Sequence, residues 1–276
     1  MRRAALAALV ALVATAPAHA QFNFNLNRLL DVGKNVRQAA GGIDPKEEIE
    51  LGRDMAARLL GAAPLVANEG LQRYVNHVGR WLASQTERPE LPWRFGVLEA
   101  PQLNAFATPG GHIFITRGLV ERMRNEAELA GVLAHEIAHV LKKHHLQAMQ
   151  KSAQLELANT AITTFSRQDA SAQKRDKLLS AGSELFARGL DKSDELEADR
   201  LGVVIAARAG YDAYGLPAVL QTLQAMNPAD SGLALMFKTH PAPAERLDAL
   251  EKMHPTLDAY AAQQQLAARF MGALGR

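Results

Sequence analysis

Apolar residues recur at helical spacing through much of this chain, and capping residues mark where helices begin. One helix is predicted to begin after Asp44, because Pro45 suits the first helical position and the two glutamates that follow favour the helix dipole. A second helix is predicted over about residues 68–86, where large apolar side chains share one face. From Gly118 onwards the pattern predicts only helices and loops.

Three short stretches before Gly118 have the pattern of β-strands, at residues 93–100, 104–108 and 109–116. The third begins with Pro-Gly-Gly, which predicts a turn leading into the strand. The predicted order is therefore helices, a small sheet and then more helices. This order indicates an α+β fold that is predominantly helical.

The start of the chain has the pattern of a cleaved signal peptide. A basic "MRR", an apolar stretch and the small residues Ala18 and Ala20 of a cleavage site fill residues 1–20. The alternative is a membrane anchor, but 13 apolar residues fall short of the roughly 20 that span a bilayer. We therefore expect export of the chain, with residues 1–20 as the signal peptide, an N-terminal arm over residues 21–44 and one domain over 45–276.

Composition and charge exclude several kinds of site. Loss of Arg2 and Arg3 would reduce the 31 basic residues to 29, equal to the 29 acidic ones, so we expect no nucleic-acid partner. The chain has no cysteine, which excludes disulfides, thiolate ligands and a cysteine nucleophile. Any bound metal must therefore be held by histidine, aspartate or glutamate.

The stretch "ELAGVLAHEIAHVLKKHH" at 128–145 places polar residues in an apolar helix. His135 and His139 lie about 40° apart around the helix, so both imidazoles can reach one cation. Glu136 lies about 100° from His135, where its carboxylate can reach a zinc-bound water and act as the base in peptide hydrolysis. Incidental histidines are the alternative, but burying these groups without a partner costs several kcal/mol.

The third metal ligand is less direct to predict. His145 has the spacing of a longer zinc motif that turns at a glycine, but Lys142 stands there, so we expect His144 and His145 at a solvated helix end. In "DKSDELEADR", Glu195 and Asp199 lie four residues apart on one helical face. Glu195 would complete the zinc site and Asp199 would accept a hydrogen bond from a ligand histidine.

There are two alternatives to Glu195 as the third ligand. Glu197 is the rival ligand, but it lies about 200° from Glu195 around the helix and cannot share its face. A solvated acidic turn without a metal role is the other alternative, and it would be preferred if the histidine helix were absent.

Together, "HEIAH", "ELEAD" and "NAFATPGGHIFITRGL" resemble the HtpX and CAAX-prenyl-protease-like zinc metallopeptidases, family forty-eight of the metallopeptidases, particularly its soluble periplasmic members. The resemblance extends from about Asp44 to about Leu250. It implies a zincin-like domain of the gluzincin type, with a small sheet packed on the HExxH helix. It also implies one Zn2+ per chain, held by His135, His139 and Glu195.

The same resemblance implies further site residues. An extended substrate would add as a strand beside residues 104–108, so Asn104, Ala105 and Phe106 would bind substrate. His240 and Arg246, in "THPAPAERL", would lie close to the active site, where His240 would either occupy the fourth zinc position or stabilise the oxyanion during catalysis. The alternative for His240 is an ordinary loop residue before a proline.

We therefore predict a periplasmic zinc endopeptidase that hydrolyses misfolded or misassembled cell-envelope proteins. Its implied partners are those substrates and the outer-membrane assembly machinery. One alternative is a chaperone-like quality-control factor with a latent zinc site, and another is a metal-stabilised binding module. Residues 150–190 are predicted either to cover the cleft through a mobile connection at 166–177 or to be plain scaffold helix.

Overall fold

The computed structural model describes most of the chain after the predicted arm. The described residues are 43–161, 176–180, 182, 189–227, 230, 232–261 and 263–276. The predicted signal peptide, almost all of the predicted arm and the predicted mobile connection lie outside them, apart from the end of that connection at 176 and 177. Residues 43–276 belong to one compact unit.

Two capped helices precede the sheet, as predicted. Helix α1 spans Pro45–Ala62, and Asp44 Oδ1 accepts a hydrogen bond of 3.0 Å from the Lys46 backbone N–H. Helix α2 spans Glu69–Ser84, and Asn68 Oδ1 accepts from the Leu71 N–H at 3.0 Å. Both caps satisfy backbone donors that the first helical turn leaves without partners.

The sheet has three strands, each within a stretch that the sequence predicted. They are β1 (Arg94–Leu98), β2 (Ala105–Thr108) and β3 (His112–Thr116), in the order β1-β3-β2. Strand β3 is parallel to β1 and antiparallel to β2. Because β3 is the middle strand, β2 lies at an edge of the sheet. Gly110 and Gly111, with φ of 74° and 98°, form the turn between β2 and β3 in a region that favours glycine.

Helices follow the sheet, which confirms the predicted α+β, predominantly helical class. They are α3 (Arg117–Val120), α4 (Glu126–Lys142), α5 (His144–Ala161), α6 (Lys192–Arg208), α7 (Gly215–Ala225), α8 (Ala234–Thr239), α9 (Pro243–Glu251), α10 (His254–Leu257) and α11 (Ala267–Ala273), with a 3-10 turn at Asp258–Tyr260. Among the described helices, none is both long and apolar enough to cross a membrane.

Helix α4 is the centre of the core. Every residue from Glu126 to Leu141 is buried, because the sheet, α2, α6 and α7 all pack against this helix. Helix α6 approaches it closely at Gly202, where a Cβ would lie 2.8 Å from the His135 backbone nitrogen. Only glycine permits this distance, so Gly202 lets the acidic residues of α6 reach the histidines of α4.

A buried carboxylate anchors the N-terminus of α4. Glu126 accepts hydrogen bonds from the hydroxyls of Tyr74 at 2.5 Å and Tyr211 at 2.7 Å, and from the guanidinium of Arg269. Burial raises the pKa of Glu126, but these hydrogen bonds outweigh it and hold the pKa below its ordinary value. The Gln265 carbonyl accepts from the Glu126 N–H at 2.9 Å. The last described segment therefore holds the start of α4 in place.

Candidate metal centre

Three buried side chains from α4 and α6 converge on one point. His135 Nε2 and His139 Nε2 lie 3.1 Å apart. The Glu195 carboxylate reaches across from α6, with Oε2 3.6 Å from His135 Nε2 and Oε1 3.4 Å from His139 Nε2. Their possible ligand atoms all lie within 4.8 Å of one another, so the cluster could hold a metal ion.

Two features of this structure fit a divalent cation at that point. Glu195 Oε1 is buried and has no hydrogen-bond partner. A buried oxygen without a partner costs free energy, and binding a metal ion would remove that cost. Among the described residues, three buried carboxyl groups around this point, those of Glu136, Glu195 and Asp199, outnumber the one buried guanidinium, that of Arg246. Two imidazoles and a carboxylate are donors that suit zinc.

The ring nitrogen of His135 that is not directed at the cluster, Nδ1, contacts the ion pair between Asp199 and Arg246. His135 Nδ1 lies 2.9 Å from Asp199 Oδ1. Arg246 binds both oxygens of the same carboxylate, at 2.8 Å through Nε and 2.5 Å through an Nη. Burial raises the pKa of Asp199, but the charge of Arg246 outweighs it and lowers the pKa. The carboxylate therefore stays ionised and accepts the Nδ1 proton of His135, which turns Nε2 towards the cluster.

Glu136 lies beside the cluster without belonging to it. Its side chain is buried, and burial raises the pKa of its carboxyl group, which favours uptake of a proton. A small, largely apolar cavity is lined by Glu136 together with His135, His240 and Ala105. A reacting group in that cavity would contact the carboxylate of Glu136.

His240 contacts the cluster from the loop between α8 and α9. Helix α8 ends at Thr239, and His240 follows in an extended conformation. Helix α9 begins three residues later, at Pro243. Its Nδ1 lies 2.6 Å from Glu195 Oε2. Burial lowers the pKa of His240, but the charge of Glu195 outweighs it and raises the pKa. The loop residue predicted to lie near the metal is therefore in contact with a candidate ligand.

The predicted substrate residues divide into two groups. Asn104 is buried, donates to Thr239 Oγ1 at 3.4 Å, and has an Oδ1 with no hydrogen-bond partner, while Ala105 lines the cavity. Phe106 packs on a different apolar cluster, with Leu98, and does not line the cavity. Ala105 thus lies at the cavity, Asn104 contacts the residue that precedes His240, and Phe106 lies outside the cavity.

The expectation of a solvated helix end at His144 is wrong. Helix α4 stops at Lys142, and Lys143 adopts a left-handed conformation that folds His144 back into the interior, where it is 3% exposed. His144 Nδ1 lies 3.0 Å from His139 Nδ1, and its Nε2 lies 3.2 Å from Glu197 Oε2. Sequence reasoning missed this contact because it assumed that only a glycine could break the helix.

Comparison with known proteins gives two similar relatives of the same name. The beta-barrel assembly-enhancing protease of Yersinia pestis is 32% identical over 241 residues, which cover 83% of this chain and 49% of that protein. Its namesake from Escherichia coli (strain K12) is 29% identical over 254 residues, covering 90% of this chain and 51% of that protein. This chain thus spans about half the length of both relatives.

A further relative and a family model indicate the family to which the chain belongs. The mitochondrial metalloendopeptidase OMA1 of Bos taurus is 28% identical over 176 residues, which cover 60% of this chain and 33% of that protein. The model described as Peptidase family M48 matches residues 69–254, which hold the whole cluster and its surroundings. Because that match covers more than half of the chain, the chain belongs to Peptidase family M48.

Proposed function

We propose that this protein is a zinc-dependent endopeptidase. The observation that carries the proposal is the convergence of His135, His139 and Glu195, with one Glu195 oxygen buried and without a hydrogen-bond partner. A carboxylate that could act as a base, Glu136, lies beside this cluster in a cavity. Zinc sites that catalyse hydrolysis use such a ligand set and leave a further position for water or substrate.

The protein's own groups have distinct tasks in this proposal. His135, His139 and Glu195 hold the metal, and bound zinc supplies a Lewis acid that acidifies water and polarises a carbonyl group. Glu136 takes a proton from the attacking water and delivers it to the leaving amine nitrogen. Asp199, supported by Arg246, fixes the tautomer of His135.

The substrate would bind as an added strand. Strand β2 lies at an edge of the sheet, and its first residue lines the cavity that contains Glu136. Main-chain hydrogen bonds to an edge strand hold an extended polypeptide with little regard to sequence. The edge strand supports unfolded polypeptides as substrates. The predicted signal peptide and the name of the two relatives, beta-barrel assembly-enhancing protease, support misfolded or misassembled cell-envelope proteins as these substrates, in the periplasm, with outer-membrane assembly machinery as a further partner.

A chaperone-like factor with a latent zinc site is the second candidate. One observation favours it: His240 contacts Glu195 Oε2 at 2.6 Å, so a candidate metal ligand is engaged by a side chain from a neighbouring loop. Such a protein would bind unfolded chains at β2 and cleave them little.

Metal removal tests the proposal and separates the two candidates. We expect the zinc-loaded protein to cleave a denatured model protein, to lose this activity completely on chelation and to regain it when zinc is restored. Product fragments resolved by mass spectrometry give the measurement. Cleavage that survives chelation would contradict the zinc mechanism. Binding of the denatured protein without cleavage would favour the chaperone-like candidate.

Replacement of His240 tests the contact with Glu195. We expect His240→Ala to raise basal cleavage, because the Glu195 carboxylate loses a competing partner at 2.6 Å. The initial rate on the denatured substrate gives the measurement, with His77→Ala, an exposed histidine of α2, as control. A fall of about 10²–10³-fold would instead identify His240 as a donor to the oxyanion. A rate unchanged within about twofold would remove His240 from the site.

A further inference from the structure

A left-handed residue after α4 turns the chain back towards the metal centre. Lys143 has φ of 58°, a conformation that costs a residue with a side chain about 1–2 kcal/mol. Its Nζ lies 2.9 Å from Glu48 Oε2, and Glu48 in α1 is only 1% exposed. The ion pair therefore ties the turn to α1 and offsets part of that cost. Because of this turn, His144 lies next to His139.

His144 bridges α4 and α6 through both ring nitrogens. Its ring lies nearly perpendicular to that of His139, with centroids 5.1 Å apart and an interplanar angle of 74°. The Nδ1 atoms of the two rings are 3.0 Å apart, and His144 Nε2 lies 3.2 Å from Glu197 Oε2. His144 is almost fully buried, whereas the side chain of Glu197 is 41% exposed.

Only one arrangement of protons satisfies these contacts when His139 binds a metal. His139 Nε2 faces His135 and Glu195, so a neutral, ligating His139 carries its proton on Nδ1. Among the described residues, the acceptor opposite that proton is His144 Nδ1, which must then be without a proton. His144 consequently carries its proton on Nε2, where the Glu197 carboxylate accepts it.

We propose that His144 is a positioning residue for the metal. It accepts the Nδ1 proton of His139 and so fixes the tautomer and the ring orientation of that ligand, while Glu197 fixes the tautomer of His144. The inference rests on the proposed metal site and extends it. His135 donates its Nδ1 hydrogen bond to a buried, charged carboxylate, that of Asp199, whereas His139 donates its Nδ1 hydrogen bond to a neutral imidazole, that of His144.

The two ligands should therefore respond differently to loss of their outer partners. Glu197 is partly exposed and shares its other oxygen with Lys142, 2.7 Å away, so solvent screens its charge. His144 thus contributes through hydrogen-bond direction and geometry, and little through charge. Outer partners of metal-ligating histidines typically contribute about 10–100-fold to metal affinity.

A pair of nearly isosteric variants tests the hydrogen bond alone. Asparagine can place an amide oxygen close to the position of His144 Nδ1, whereas leucine has the same shape and no acceptor. We expect His144→Leu to bind zinc about 10–100-fold more weakly than the wild type, and His144→Asn to recover most of that loss. Competition with a chromophoric zinc chelator measures the affinity without reference to catalysis. Lys142→Ala, which leaves the contact between His144 and Glu197 in place, is the control and should match the wild type.

The imidazole nitrogen shifts of the zinc-loaded wild type provide a second measurement. A long-range proton–nitrogen spectrum should show His139 protonated at Nδ1, and His144 protonated at Nε2 and bare at Nδ1. A proton on His144 Nδ1, or equal zinc affinities for the leucine and asparagine variants, would overturn the inference. If His144→Leu does not fold, the wild-type spectrum decides. Failure of the wild type to bind zinc would instead overturn the proposed function itself.

Discussion

Glu136→Gln is expected to abolish peptide hydrolysis and to leave zinc content near that of the wild type. Glutamine keeps the shape of the buried side chain but cannot take a proton from the attacking water. A general base typically contributes about 10²–10⁴-fold to the rate, so cleavage should fall by at least that factor. Cleavage of a denatured protein and metal content by mass spectrometry are the two measurements.

Glu121→Gln is a suitable control for that variant. Glu121 lies at the end of α3, is half-exposed and pairs with Arg117, so its loss should change neither rate nor zinc content. Loss of zinc from the Glu136→Gln protein would contradict the proposed division of roles, because it would make Glu136 a metal ligand. The inactive variant also serves as a trap, since captured proteins would identify the natural substrates.

Glu195→Gln is expected to release zinc. Glu195 is fully buried and its carboxylate lies between both histidines, so the neutral amide would leave the metal's charge uncompensated. Zinc affinity should fall by more than the about 10–100-fold typical of an outer partner, and activity should fall with it. Equilibrium dialysis against a zinc buffer measures the change. His135→Ala and His139→Ala should show the same loss.

Glu197→Gln provides the matched comparison on the same helix. Glu197 faces His144 and Lys142 and does not reach the cluster. Its glutamine variant retains an amide oxygen opposite His144, so zinc affinity should stay close to that of the wild type. Equal loss of zinc from the Glu195 and Glu197 variants would leave the assignment of the third ligand unsupported.

Much of the architecture follows from local sequence signals. Asp44 and Asn68 cap helices where predicted, and a Pro-Gly-Gly turn precedes the third strand. The spacing of His135 and His139 in an apolar helix predicted two convergent imidazoles, and Glu195 and Asp199 were predicted to share a face. Each of these signals depends on residues only a few positions apart, where backbone geometry is nearly fixed.

The features that sequence reasoning missed depend on tertiary packing. A lysine carries no signal for a left-handed turn, and Lys143 adopts one where Glu48, far away in sequence, binds its ammonium group. The burial of His144 follows from that turn. Arg246 binds Asp199 across 47 residues of sequence, and periodicity did not indicate this pairing; the family resemblance implied only that Arg246 lies close to the active site. Gly202 is a sequence signal for the contact between α6 and α4, since a glycine inside a helix can mark a close approach to another helix.

The anchor of Glu126 has a consequence for the order in which the molecule matures. Arg269 follows Glu126 by 143 residues, so the guanidinium cannot reach the start of the histidine helix until residue 269 has been made. Contacts between residues so distant in sequence form late, because a long loop must close first. Until that contact forms, the helix that carries His135 and His139 lacks one of its restraints. Assembly of the candidate metal centre is thus coupled to synthesis of a segment far beyond it in sequence, and a nascent fragment ending before Arg269 would carry every proposed metal ligand without that support.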